Sequence, residues 1–320
     1  MTQNDTPATM RAISQDELGE PAVLKEVELE RPEPGLGEVL VRVRAAGLNP
    51  TDWKHRQLRI WLGDPPFVLG WDVSGVVEAT GLGVTLHHRG DEVFGMLPYP
   101  QGAGSHAEYV TAPARALVRK PAGLTHVQAG ALPLAALTAW QALVDTAGLR
   151  EGQRVLIHAA AGGVGHLAVQ IAKARGAHVT GTASAGKHEM LRSLGADELI
   201  DYRDTDFAEA AGDMDVVLDT IGSADYRTRS LRALRRGGIL VSLIPLGGEA
   251  LAEEAEQHGV RAEVMLVEAD HAGMSAVADL AEAGRLNAVV AGTFPLAEAA
   301  KAHEMGEQGR TAGKLVLEVD

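Results

Sequence analysis

One run constrains this chain more than any other: Arg154-Val-Leu-Ile-His158-Ala-Ala-Ala161-Gly162-Gly163-Val164-Gly165-His166-Leu167-Ala168. A β-type apolar stretch leads into three closely spaced glycines. Apolar residues then recur at Val164, Leu167, Ala168, Ile171 and Ala172, the i, i+3, i+4, i+7, i+8 spacing of a helix face. Strand, tight turn and amphipathic helix follow one another, and Gly163-x-Gly165-x-x-Ala168 has the spacing of a dinucleotide fingerprint. Glycine permits the sharp turn and a close approach of ligand to main chain. The helix start offers unpaired N–H groups and the positive end of its dipole, which suits a pyrophosphate. Gly162, Gly163, Val164 and Gly165 are therefore the expected phosphate-binding backbone. The alternative, a glycine-rich helix start without a ligand, leaves the strand–turn–helix context unexplained.

The same frame repeats downstream. Strands are expected at 154–158, 178–182, 198–201, 215–219, 239–244 and 261–267. Helices are expected at 164–174, 187–194 and 226–234, followed by Gly176, Gly195 and Gly237 as stops. Six strands alternating with helices predict an α/β fold with a doubly wound parallel sheet. Residues 10–126 read differently. Strands at 39–43 and 72–78 are bounded by turn segments that hold Pro32, Pro34, Gly35, Gly37, Pro65 and Pro66, which predicts a compact, mostly β domain. A helix at 296–307 and a strand at 314–319 close the chain.

Composition removes whole classes of function. Basic residues number 29 and acidic residues 43, a net charge of −14, which disfavours binding to nucleic acid. There is no cysteine, so disulfides, thiolate nucleophiles, iron–sulfur clusters and cysteine-ligated zinc are excluded, and a cytoplasmic location is expected. No apolar run approaches the length of a membrane span. Residues 1–9 are polar and are expected to form a disordered lead-in. Among twelve histidines, His87-His88 and the His106/Glu108 pair are the candidate metal ligands; their spacing favours packing or surface roles, so no metal is expected.

The second strand indicates which dinucleotide. An NAD site places a carboxylate at its end. Here the chain reads Thr182-Ala183-Ser184-Ala185-Gly186-Lys187. A hydroxyl and a cation replace the carboxylate, which suits the extra phosphate of NADP(H). A solvated loop with an incidental lysine is the alternative.

Ala159-x-x-Gly-Gly-Val-Gly165, Gly70-Trp-Asp72-x-x-Gly75, Gly90-Asp-Glu-Val93 and Ala131-Leu-Pro133 together resemble the medium-chain dehydrogenase/reductase superfamily. The branch that looks nearest is the zinc-less quinone and enone oxidoreductases, relatives of zeta-crystallin. The resemblance implies a GroES-like domain at 1–127, to which 287–320 return, and a Rossmann domain at 128–286. It implies Ser184, Lys187 and Tyr202 around the 2′-phosphate, Asn49 near the nicotinamide and Thr138 beside the cofactor. It also implies backbone at Ile244 and Leu246 facing the carboxamide. Zinc-dependent members carry Cys at the place of Asn49 and His at that of Trp71. Many quinone reductases carry a tyrosine in the turn after the asparagine, and Asn49-Pro-Thr-Asp52-Trp53-Lys54-His55-Arg56 has none.

The expected reaction is hydride transfer from NADPH to a small quinone or α,β-unsaturated carbonyl, without zinc. Asn49 is the candidate hydrogen-bond donor to the substrate oxygen; its alternative role is a turn residue before Pro50. Asp52 is expected to fix that turn, and Lys54 or His55 to supply a proton if they face the substrate. The missing tyrosine keeps a second reading open, a non-catalytic NADPH-binding redox sensor or structural module. Alcohol dehydrogenation is a weaker third. A homodimer is expected through 261–267, read as an edge strand.

Overall fold

The computed structural model describes residues 8–245 and 247–320. Of the lead-in expected at 1–9, residues 1–7 lie outside the described residues, and Thr9 already opens a strand. The chain forms two compact units. One takes residues up to Leu134 together with Glu268–Glu282 and Val290–Asp320; the other takes Ala135–Val267 and Ala283–Val289. Glu268–Glu282, expected in the second domain, groups with the first unit.

The first unit is built on Glu38–Leu48, an eleven-residue strand buried along most of its length. It pairs antiparallel with Asp72–Thr80, Tyr109–Pro113 and Lys314–Glu318. The remaining neighbours in this seven-stranded sheet are Glu92–Met96, Leu117–Arg119 and Val290–Pro295. A second sheet joins Thr9–Gln15 with Lys25–Glu30 and Phe67–Val68. Gly75 faces Val43 in the central pairing. A side chain there would run into the Arg42 carbonyl, so only glycine lets the two strands close. The segment after Asn49, expected as a turn, is the helix Pro50–Gln57. Proline suits its first position, and Asp52 Oδ2 accepts from the Asn49 N–H at 2.6 Å.

The second unit is a six-stranded parallel sheet in the order Glu198–Ile200, His178–Thr182, Arg154–Ile157, Met214–Asp219, Leu234–Ser242 and Arg261–Val264. It is the expected doubly wound sheet, and strand order reverses beside Arg154–Ile157, where open α/β sheets bind ligands. Leu156, Val217 and Leu240 pack with Phe207, Met214 and Leu231 in its core. One helix stop is corrected. The helix Ala224–Ala233 starts earlier because Ser223 caps the Tyr226 N–H at 3.3 Å, and Leu234 is already extended. Gly237, with φ 76°, lies inside the next strand, where the register shifts against Met214–Asp219. The last strand ends at Val264, short of the expected 267.

Candidate active site

The glycine loop joins Arg154–Ile157 to the helix Gly165–Ala174. Ala159 takes the left-handed conformation, φ 45°, and its carbonyl accepts from the Gly162 N–H at 2.8 Å. A side chain at Gly165 would collide with that carbonyl and with the Ala160 backbone, so the turn requires glycine there. Ala160 N–H donates to the Thr182 carbonyl at 3.0 Å and Ala159 N–H to Thr182 Oγ1 at 3.2 Å, which ties the loop to the second strand. Gly162, Gly163 and Val164 stay half-exposed. The first N–H groups of a helix have no acceptor within it, so this start is suited to an anion. Below the loop, His158 bridges Thr182 Oγ1 at 3.3 Å and Ser230 Oγ at 2.9 Å. Burial lowers its pKa to about 4, so the ring is neutral.

Ser184 and Lys187 sit on one turn, where Lys187 N–H donates to the Ser184 carbonyl at 2.9 Å. The end of the third strand lies against it. Ala183 N–H donates to the Ile200 carbonyl at 3.0 Å, and Ala185 N–H to Asp201 Oδ2 at 2.8 Å. Tyr202 follows, nearly half exposed, with the Arg203 guanidinium over its ring at 5.9 Å. The donor set of hydroxyl, ammonium and phenol fits a ribose phosphate. Asp201, just past the third strand Glu198–Ile200, is a carboxylate at this turn that lies outside the end of the second strand, where the sequence pattern places one for NAD. The N–H groups of Arg203 and Ala185 hold the Asp201 carboxyl below its ordinary pKa, so it is charged. The adjoining Asp201-Tyr202 pair was the available signal.

Thr138 is buried on the helix Pro133–Trp140. The Ile244 carbonyl accepts from Arg227 Nη2 at 2.8 Å. The same nitrogen donates to Ser242 Oγ at 3.2 Å, and Ser242 Oγ donates to Asp219 Oδ2 at 3.0 Å. This network fixes the C-terminal ends of two neighbouring strands of the sheet. Leu246 lies outside the described residues.

In the first unit, Asn49 belongs to a buried polar cluster. Its Nδ2 donates to Asp72 Oδ2 at 2.9 Å, and its Oδ1 accepts from Lys314 Nζ. Lys314 also donates to the Leu48 carbonyl at 2.8 Å and lies 3.3 Å from Asp72 Oδ2. Leu134 N–H donates to Asp72 Oδ1 at 2.6 Å. All four side chains, including Asp52, are buried. Burial pushes Asp52 up to about 8, against the opposing Asn49 N–H; it pushes Asp72 up as well, opposed by the Lys314 ammonium. One ammonium balances one carboxylate when Asp52 keeps its proton. Asn49 is thus placed at a helix start with both ends of its amide engaged, and Asp72 and Lys314 are site residues that the sequence reading missed.

Beside this cluster, His55, Trp61, Trp71 and Tyr99 form an aromatic group with centroid separations of 5.0 Å (His55–Trp71) to 6.5 Å (His55–Tyr99). Lys54 is exposed, and His55 is buried with its pKa lowered by burial. His87 Nε2 donates to the Ala114 and Leu117 carbonyls, His88 is exposed, and Glu108 pairs with Arg11. Among the described residues no three His, Cys, Asp or Glu side chains gather as a metal-binding group.

A chain that carries both a glycine-rich βαβ unit and a β domain with a buried polar cluster has the make-up of a two-domain, nucleotide-dependent enzyme. Comparison with known proteins agrees. Residues 35–122 match the family described as "Alcohol dehydrogenase GroES-like domain", and residues 194–317 that described as "Zinc-binding dehydrogenase". The chain is 34% identical to a bovine (Bos taurus) protein named NAD(P)H oxidoreductase RTN4IP1, mitochondrial, over 88% of this chain and 82% of that one. It is 33% identical to 2-methylene-furan-3-one reductase of Solanum lycopersicum, over 99% of this chain and 81% of that one. Among solved structures, the quinone oxidoreductase from Coxiella burnetii matches with a TM-score of 0.92 at 37% identity, covering 98% of this chain and all of the other. The chain belongs to the medium-chain dehydrogenase/reductase superfamily, among its quinone and enone oxidoreductases. It is an oxidoreductase enzyme.

Proposed function

We propose that this enzyme uses NADPH to reduce a quinone or an α,β-unsaturated carbonyl, and that it does so without zinc. The observation that carries this reading is the seating of Lys314. Its ammonium already binds the Leu48 carbonyl, Asn49 Oδ1 and Asp72 Oδ2, the oxygens a metal would need. Trp71 offers only an indole N–H, which cannot ligate. These residues do not fit a zinc ion. Oxidising an alcohol calls for a group that stabilises the alkoxide. Reducing a conjugated carbonyl needs only a donor to the oxygen on which charge develops. The names of the tomato and Coxiella relatives support the same two acceptor classes.

NADPH is favoured by Ser184, Lys187 and Tyr202. The bound cofactor supplies the hydride; the chain's share is to hold its phosphates on the 162–165 backbone and its 2′-phosphate on this turn. A hydrogen bond to a charged group contributes about 1.5–3 kcal/mol, so Lys187→Ala should weaken NADPH binding roughly 10- to 150-fold. NADH affinity should hardly move. The test combines fluorescence titration of both cofactors with NADPH absorbance decay on 1,4-naphthoquinone and but-3-en-2-one, before and after dialysis against a chelator. Preference for NADH, or activity lost with a released metal, defeats the proposal. Tight NADPH binding with no turnover on any acceptor leaves the sensor reading instead. The edge position of Arg261–Val264 supports a homodimer, checked by sedimentation at micromolar concentration. The absence of cysteine suits a cytoplasmic setting.

A further inference from the structure

The structure assigns Tyr99 as the proton donor to the acceptor's carbonyl oxygen, and Trp61 as the surface that selects flat aromatic acceptors. This rests on the reductase reading above. Tyr99 Oη lies 3.1 Å from Thr51 Oγ1, which lies 3.1 Å from His55 Nδ1. The His55 end of this chain has a fixed direction. His55 Nδ1 is 2.8 Å from the Thr51 carbonyl, which can only accept, so Nδ1 carries the ring proton. It therefore cannot accept from the Thr51 hydroxyl. Between Thr51 and Tyr99 either hydroxyl can donate, and the assignment takes the arrangement in which Thr51 donates to Tyr99 Oη. Tyr99 in turn keeps its own hydrogen for an outside acceptor.

The surroundings fit a planar ligand. Trp71 is fully buried, packs 5.4 Å from Tyr99, and its Nε1 has no partner. Trp61 packs 5.8 Å from Tyr99 yet leaves 41% of its surface exposed. Tyr99 and Thr51 are half-buried. A ring laid on the exposed face of Trp61 would bring its carbonyl to the Tyr99 hydroxyl, and offset stacking rewards an aromatic ring over a short alkenal. The proton balance is closed. The arriving hydride brings the electron pair and forms the new bond to the acceptor. The Tyr99 O–H bond breaks, and the carbonyl oxygen gains that proton. The phenolate then takes the Thr51 hydroxyl proton, and Thr51 recovers one from solvent. Thr51 and His55 act as positioning residues.

The experiment compares wild type, Tyr99→Phe, Thr51→Val and Trp61→Ala, each checked for an unchanged melting temperature and an unchanged NADPH dissociation constant. Tyr99→Phe should lower kcat on 1,4-naphthoquinone by about 100-fold. It should also remove most of the solvent deuterium isotope effect. Thr51→Val should give a smaller loss. Trp61→Ala should raise KM for naphthoquinone by roughly 3- to 10-fold, while sparing kcat and leaving KM for but-3-en-2-one unchanged. Calorimetric titration of the NADP+-saturated protein with naphthoquinone should show the same loss of binding in Trp61→Ala. A wild type that reduces naphthoquinone while Tyr99→Phe stays within threefold of it overturns the assignment and spares the reductase reading. A wild type that binds naphthoquinone through Trp61 but never reduces it sinks the reductase reading, and the proton-donor role with it, while the Trp61 surface stands. No binding by the NADP+-saturated wild type overturns the surface.

Discussion

Lys314→Met is the sharpest test of the buried cluster. The substitution keeps an unbranched chain of similar volume and removes only the ammonium. Three contacts disappear, to the Leu48 carbonyl, Asn49 Oδ1 and Asp72 Oδ2. Asp72 keeps the Asn49 amide and the Leu134 N–H, but no positive charge. Leaving a buried charge unpaired costs about 3–5 kcal/mol. At roughly 2–4 °C per kcal/mol for a unit of this size, the melting temperature should fall by about 6–20 °C. The loss should depend on pH with a definite sign. Without the ammonium, the folded-state pKa of Asp72 rises further above its unfolded value. The Asp72 part of the variant's deficit is then absent below the unfolded pKa near 4 and grows as pH rises towards neutrality, on top of a pH-independent loss of the contacts to Leu48 and Asn49. Urea unfolding at pH 4.5 and 7.5 reads both features. Adding Asp72→Asn should return at least half of the lost stability at pH 7.5, because no charge is then left without a partner. A Lys314→Met variant within 1 kcal/mol of wild type at pH 7.5, or with an equal deficit at both pH values, would falsify the account of Lys314 as the neutralising cation.

Two further outcomes follow from the geometry. Asp201 places a negative charge beside the Ser184–Lys187 turn, so Asp201→Asn should tighten NADPH binding about two- to fivefold at low salt and leave NADH unchanged; fluorescence titration at two ionic strengths checks it, and an effect that persists in 1 M salt counts against electrostatics. His106 is fully buried without a hydrogen-bond partner, and burial lowers its pKa to about 3. The unfolded chain takes up that proton near 6.5 and the folded chain does not, so stability is complete above about 6.5 and falls as pH drops towards 3. His106→Leu should reduce this slope by about 1.4 kcal/mol per pH unit, measured as urea midpoints between pH 7 and 4.5; an unchanged slope means that His106 is not the titrating group.

The sheet of the second unit was legible because its signals are local. The strand expected at 178–182 has the observed ends, and the helix expected at 164–174 starts one residue later, at Gly165. Gly237 misled because a positive φ serves a strand irregularity as well as a helix stop. Pro50–Gln57 escaped for a different reason. The residues it buries are Asp52, His55 and Arg56, so hydrophobic periodicity has nothing to detect. Arg56 shows what replaces an apolar face there: it bonds the Gly19 carbonyl and His303 and pairs with Glu307. The site was hidden by the same property. Asn49 and Lys314 are 265 positions apart, and a lysine opening a C-terminal strand reads as solvent-facing. Yet Asp72 carried a usable clue. It stands between Trp71 and Val73 at the buried start of a strand, where a carboxylate cannot stay ionised without a cation or several donors. The nearest lysines and arginines in sequence do not meet it. A partner from a distant strand is then required, and Lys314, the first residue of the strand hydrogen-bonded to Glu38–Leu48, stands where that strand reaches Leu48 and Asn49.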